Sequence, residues 1–217
     1  MTEPREPQSL DFGLAALLLV GVYVFGELAD TTRLGRIVAG VMAYAAAIAI
    51  LRGIRASRTV TWWTIGVLAG GSVLRVVSAT SDAEFLRVLA SVVHLGVALA
   101  APFLVLRFIL RAGTVTVNVV FAGVTLYLLI GILFGVVYTD VAWTNPDAFS
   151  PPQAPGAGAG SALFYFSFIV LTTVGFGDIA AASDLTRALV VVEALTGQLL
   201  LVVLISRLVG AVELRRA

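Results

Sequence analysis

The seven residues Thr172-Thr173-Val174-Gly175-Phe176-Gly177-Asp178 form the most distinctive stretch of the chain. What they offer chemically is backbone. Glycine tolerates positive φ, so glycines at alternating positions let a strip turn successive carbonyl oxygens the same way. One such strip covers a single flank of a bare cation. Four strips around an axis would stack rings of oxygens able to replace the water shell of a dehydrated ion.

The flanking sequence must hold such a strip in place. An apolar run, Ala162 to Leu171, precedes it, and a long apolar segment follows about seven residues later. The chain is 59% hydrophobic and 12% charged, with a mean hydropathy of +1.03. Soluble domains carry roughly 25% charged residues, so this composition points to a membrane. A hydrocarbon core of ~30 Å needs about twenty helical residues, with about seventeen as a lower limit. Six segments qualify and predict an all-α integral membrane fold: Phe12–Leu28, Gly35–Leu51, Val60–Ala79, Phe85–Leu110, Val115–Tyr138 and Leu185–Val209. Ala162–Leu171 is too short to cross, which suits a re-entrant helix. Irregular backbone at membrane depth survives when protein or a water-filled pathway surrounds it. Between the fifth and sixth spans, Thr139 to Ser161 holds Asn145-Pro146-Asp147, Pro151-Pro152 and Pro155-Gly156-Ala157-Gly158-Ala159-Gly160. That density of proline and glycine predicts an irregular, partly mobile extracellular turret.

Six crossings put both termini on one side, and arginine chooses the side. There is no lysine, and all fourteen cations are arginine. With the termini in the cytosol, Arg5, Arg52, Arg55, Arg58, Arg107, Arg111, Arg207, Arg215 and Arg216 face inward. Arg33, Arg36, Arg75, Arg87 and Arg187 face outward. Nine against five favours cytosolic termini in a multi-pass protein of the plasma membrane. Met1 to Asp11 lacks the basic start of a secretory signal, so the first span is expected to be retained.

From Val115 to Val209 the order of outer helix, short apolar helix, Thr-Val-Gly-Phe-Gly-Asp strip and inner helix resembles the tetrameric potassium channels. Their common filter has Tyr where this chain has Phe176. The resemblance implies a domain division: a cytosolic N-terminus (1–11), a four-helix membrane domain (12–112), a pore domain (113–210) and a short cytosolic tail (211–217). Within the pore domain it implies a turret (139–160), a pore helix (161–172) and a filter (173–178). Carbonyls of Thr173, Val174, Gly175 and Phe176, with Gly177 completing the strip, would coordinate potassium, as in the channels from which this mechanism is taken. The Thr173 hydroxyl would form the innermost ring, Thr172 would close the pore helix, and Asp178 would mark the outer mouth. Tyr165 and Phe166 occupy aromatic positions of the pore helix. Ile169 stands where some relatives place a carboxylate that pairs with the filter aspartate, so Asp178 needs another partner. One chain carries one strip, so closure implies a C4 homotetramer. The permeant potassium ion is the expected ligand, with no cofactor.

On the last span, Gly197 falls where the family often has a hinge glycine; a close-packing position is the equal alternative. Gln198, Leu201, Ile205 and Val209 share one helical face, which suits a cavity lining and a hydrophobic gate, or else packing and lipid contact. Glu193 is ionisable within a span, a costly placement that calls for a partner or water. One turn before Gly197, it is expected either to bond Thr172 behind the filter or to be a structural carboxylate.

The first four spans do not resemble a voltage sensor. The fourth offers Arg87, His94, Arg107 and Arg111, without arginines every third residue in the field. Arg52, Arg55 and Arg58 have that spacing but lie between spans, where anionic lipid headgroups are natural partners and topology anchoring the plainer role. His94 is expected to be a neutral packing residue rather than a pH sensor. Trp62 and Trp63 suit an interfacial belt. If Ala217 is the natural end, there is no room for a nucleotide- or calcium-sensing domain, and gating is expected to come from the membrane, the filter or the ions.

Other classes fit less well. No cysteine and one histidine exclude thiol chemistry and a multi-histidine centre within one chain, and no enzyme is expected. A net charge of +1 argues against nucleic acid. A weakly selective cation channel is the nearest alternative. A potassium transporter subunit usually carries four degenerate filters in one chain, and a non-conducting scaffold has no use for the strip.

Overall fold

The computed structural model describes residues 11–29, 33–80, 84–153 and 159–213. Seven helices dominate it: α1 (Asp11–Ala29), α2 (Arg33–Gly53), α3 (Arg58–Thr80), α4 (Glu84–Arg111), α5 (Val117–Thr144), α6 (Ala159–Leu171) and α7 (Asp184–Glu213). Two short strands, β1 (Phe149–Ser150) and β2 (Ala180–Ala181), pair antiparallel with Phe149 opposite Ala181.

Among the described residues, three helices contain stretches long and apolar enough to cross a membrane: Val88–Arg111 in α4, Val117–Thr144 in α5 and Asp184–Arg207 in α7. Asp11–Val24 and Gly40–Gly53 form shorter apolar stretches in α1 and α2. α2 opens on Arg33 and Arg36, and α3 carries Thr59, Thr61, Thr64 and Arg75.

α5 is the central post. It packs against α1, α4, α6 and α7. Thr116 caps its N-terminus, accepting a bond from the Val119 amide. Close packing organises one end of the bundle around Phe12, which is fully buried. Its ring lies 4.9 Å from Phe108 of α4, its carbonyl accepts the Thr125 hydroxyl of α5, and it fills the space where Gly53 of α2 lacks a side chain. At the same end Arg207 of α7 donates to the Ile109 carbonyl in the last turn of α4, 2.9 Å away. The Ile109 carbonyl also accepts from the Ala112 amide at 3.3 Å, so the arginine adds a second, shorter bond at the end of the helix. The N-terminal portions of α1 and α5 thus meet the C-terminal ends of α2, α4 and α7.

Residues 139–153 are more regular than their composition suggests, and residues 154–158 of the expected turret lie outside the described residues. α5 continues to Thr144, a 3-10 turn follows over Pro146–Ala148, and β1 then ties the segment to β2 beyond the strip. The polar residues that mark the expected boundary are satisfied within the fold. Thr139 bonds back to the Gly135 carbonyl at 2.7 Å, and Asp140 accepts from Ser91 of α4 at 3.0 Å. Helix α6 begins at Ala159, two residues before the expected start.

Candidate functional site

The strip begins where α6 ends, and the ending is a wrapped C-cap. The Val174 amide bonds the Ile169 carbonyl at 3.0 Å and the Thr173 amide bonds the Val170 carbonyl at 2.9 Å. These are the crossed bonds of a Schellman motif, which needs a left-handed residue at its turn. Thr173 occupies that place with φ 58°. A non-glycine residue there is held at a cost of about 1–2 kcal/mol. Gly175 follows with φ 58° and Gly177 with φ 81°. Left-handed backbone therefore recurs at every second residue, 173, 175 and 177. A side chain on Gly175 or Gly177 would meet nothing within 4 Å in the single chain. Conformation, not space, demands glycine at both. All seven residues from Thr172 to Asp178 are exposed on one chain, Phe176 at 70%.

Behind the strip the packing is dense. Gly131 and Gly135 of α5 give room to the rings of Phe168 and Phe164 of α6. The Tyr127 hydroxyl of α5 donates to the carbonyl of Leu171, the last residue of α6, at 3.0 Å. Gly197 of α7 abuts that same carbonyl: an added Cβ would lie 2.9 Å from it. The glycine therefore occupies a close-packing position. Thr172 bonds back to the Phe168 carbonyl at 2.6 Å, and the Thr173 hydroxyl donates to the Thr172 carbonyl at 2.7 Å.

Both ends of the strip are tethered. At the far end the Ala182 and Ser183 amides bond the Ala148 carbonyl, as does the buried Thr186 hydroxyl of α7. Tyr165 of α6 interacts electrostatically with Asp178, on the side where Ile169 offers no carboxylate. Phe166 belongs to a buried aromatic cluster with Tyr138 and Phe149, with ring centroids 5.3 to 5.8 Å apart.

Glu193 is fully buried, and its partners differ from the expected Thr172. It meets Ser167 of α6 through Oε1 and accepts the Tyr138 hydroxyl of α5 on Oε2 at 2.6 Å. Thr172 lies at the end of α6, more than a helical turn beyond Ser167, and spends its hydroxyl on its own helix. Further along α7, Gln198 and Ile205 are exposed and Leu201 is half-buried. The Val209 side chain lies outside the described residues.

Away from the strip, Arg52, Arg55 and Arg58 are all exposed at the turn between α2 and α3. Arg55 takes φ 55° there, closing α2 through bonds from the Arg55 amide to Arg52 and from the Ala56 amide to Leu51. His94 contacts the Ala90 carbonyl of its own helix through Nδ1 at 2.9 Å. Trp62 and Trp63 are more than 70% exposed near the start of α3.

Residues 114–213 match the family model for an ion channel. The matched stretch is a little under half of the chain and contains α5, α6, the strip and α7. It supports an ion-channel domain in a membrane protein, and a channel rather than an enzyme. No curated protein and no solved structure matches the chain.

Several residues at the site escape sequence reasoning. Tyr127 and Tyr138 of α5 back α6 from behind, and Ser167 of α6 meets Gly131 and Glu193. Their one sequence signal is polarity inside otherwise apolar helices.

Proposed function

We propose that the chain is a potassium-selective channel that passes ions passively down their gradient as a C4 homotetramer. The alternation of left-handed backbone at Thr173, Gly175 and Gly177 carries this reading. Residues that alternate in handedness present successive carbonyls to one side, so a strip of this kind can line an axis. The exposure of the whole strip on one chain supports the tetramer, because each strip needs three others to enclose an ion. In this reading Thr173 to Gly177 form the filter, and α6 is a re-entrant pore helix. Its negative C-terminal end favours a cation. α1 to α5 and α7 are the six spans, and the clustering of their ends around Phe12 and Arg207 suits that topology.

Thr172, Tyr165, Asp178 and Glu193 support the filter. Gln198, Leu201, Ile205 and Val209 line the cavity and gate of the inner helix, with Gly197 set against the pore helix. Arg52, Arg55 and Arg58 face anionic lipid headgroups at a cytosolic surface. The first four helices lack a voltage sensor's arginine pattern, so gating is weakly voltage-dependent or independent of voltage. One observation favours a weakly selective cation channel instead: Phe176 has no hydroxyl with which to tie the filter to its surroundings.

Ion flux from liposomes tests the proposal. Wild-type protein should release potassium from loaded vesicles far faster than sodium. Gly175→Ala should abolish the release while the tetramer still assembles, because Ala is strained at φ 58°. Equal release of both ions would favour the weakly selective reading, and undiminished selective flux through Gly175→Ala would remove the filter assignment.

A further inference from the structure

The contacts of Ser167 make a proton count possible. Its hydroxyl carries one proton and makes two short contacts, one to the Gly131 carbonyl of α5 at 2.8 Å and one to Oε1 of Glu193. A carbonyl can only accept, so the bond to Gly131 uses the serine proton. The contact to Glu193 then has a donor of its own only if the carboxyl supplies it. On the other oxygen the Tyr138 hydroxyl donates at 2.6 Å. Ser167, Tyr138 and Glu193 are each 0% exposed, so no water completes the set from outside.

We propose that Glu193 is a neutral carboxylic acid whose proton, donated to Ser167, holds α6 between α5 and α7. Every polar atom of the cluster then has a role: Tyr138 donates to Oε2, the carboxyl donates to Ser167, and Ser167 donates to Gly131. An ionised Glu193 weakens the chain. Ser167 would then have one proton to share between the carboxylate and the Gly131 carbonyl, a weaker three-centre arrangement than two full bonds. A buried carboxylate would also need strong pairing to offset its lost hydration. The titratable groups facing Glu193 from α5 are Tyr138 and, at longer range, Tyr127. From α6 it meets Ser167, which does not titrate in this range. No cation lies within ion-pair distance among the described residues.

Glu193 is a positioning residue in this account, since it touches α6 and not the strip. Its effect on conduction rests on the proposed channel reading, whereas its protonation does not. The proton makes the clamp sensitive to pH: raising the pH until the carboxyl ionises should loosen α6 and shorten the conducting state.

Infrared difference spectroscopy of purified protein in lipid, comparing wild type with Glu193→Gln, tests the protonation directly. The wild type at neutral pH should show the C=O band of a protonated carboxyl, absent from the variant and shifted in Ser167→Ala. Glu193→Gln should keep the clamp, because its amide N–H can donate to Ser167 and its amide oxygen can accept from Tyr138. Its current decay should lose the dependence on alkaline pH. Glu193→Ala should lower thermal stability and speed current decay several-fold. A wild-type spectrum without the band, or the same band in Glu193→Gln, overturns the proposal, as does Glu193→Ala with unchanged stability. The spectrum decides whether or not current is observed, which separates this claim from the channel reading.

Discussion

Single residues set the strip, and one of them does so against local preference. Thr173 is held left-handed by the crossed hydrogen bonds that close α6, while Gly175 and Gly177 reach the same region freely. Tyr165 interacts with Asp178 at the outer end, and we expect this contact to tether it. Tyr165→Phe should remove that tether, so macroscopic current should decay faster during sustained opening with an unchanged reversal potential; decay at the wild-type rate would show that Asp178 is held by other means. This local chemistry was legible because seven consecutive residues contain it. The partners of Glu193 were not, because Ser167 lies 26 residues away and Tyr138 lies 55 away. A sequence can show that a buried carboxylate needs a partner without showing which of several nearby hydroxyls supplies it.

At the scale of elements, α6 is held from two sides at its last carbonyl, by the Tyr127 hydroxyl and by the close approach of Gly197. Gly197→Ala distinguishes the two roles considered for this glycine. A close-packing role implies overpacking against Leu171 and a loss of about 1–3 kcal/mol, read as a lower Tm. A role in helix bending alone implies a gain of about 1 kcal/mol in helix propensity and a higher Tm. The 2.9 Å approach to the Leu171 carbonyl leads us to expect the loss. The order of elements was legible from apolar runs of membrane length. The end of α5 was not: Thr139 and Asp140 resemble a boundary in sequence, yet a bond within the helix and a bond from Ser91 of α4 carry them inside it. The pairing of β1 with β2 was hidden for a similar reason, since two residues a side give no periodicity.

The whole molecule divides its surface unequally. α5 is wrapped by its own chain, whereas α7 leaves Val191, Leu195, Leu199, Val202 and Ile205 exposed beside an exposed strip. Closing four strips around an axis would cover part of that face with neighbouring copies and leave the rest to lipid. Single-molecule bleaching of labelled complexes in lipid should therefore show four steps, and a majority with one or two would contradict the proposed geometry. α4 enters this assembly as a packed wall. Arg107 and Arg111 are exposed near its end, and Arg207 docks that end to α7.

The central claim is selective passage of potassium through rings made from Thr173 to Gly177. The most direct test is the reversal potential of purified protein in a planar bilayer, with potassium on one side and sodium on the other. The account expects a value near the potassium equilibrium potential. A clear current reversing near zero would contradict potassium selectivity and leave a weakly selective cation channel.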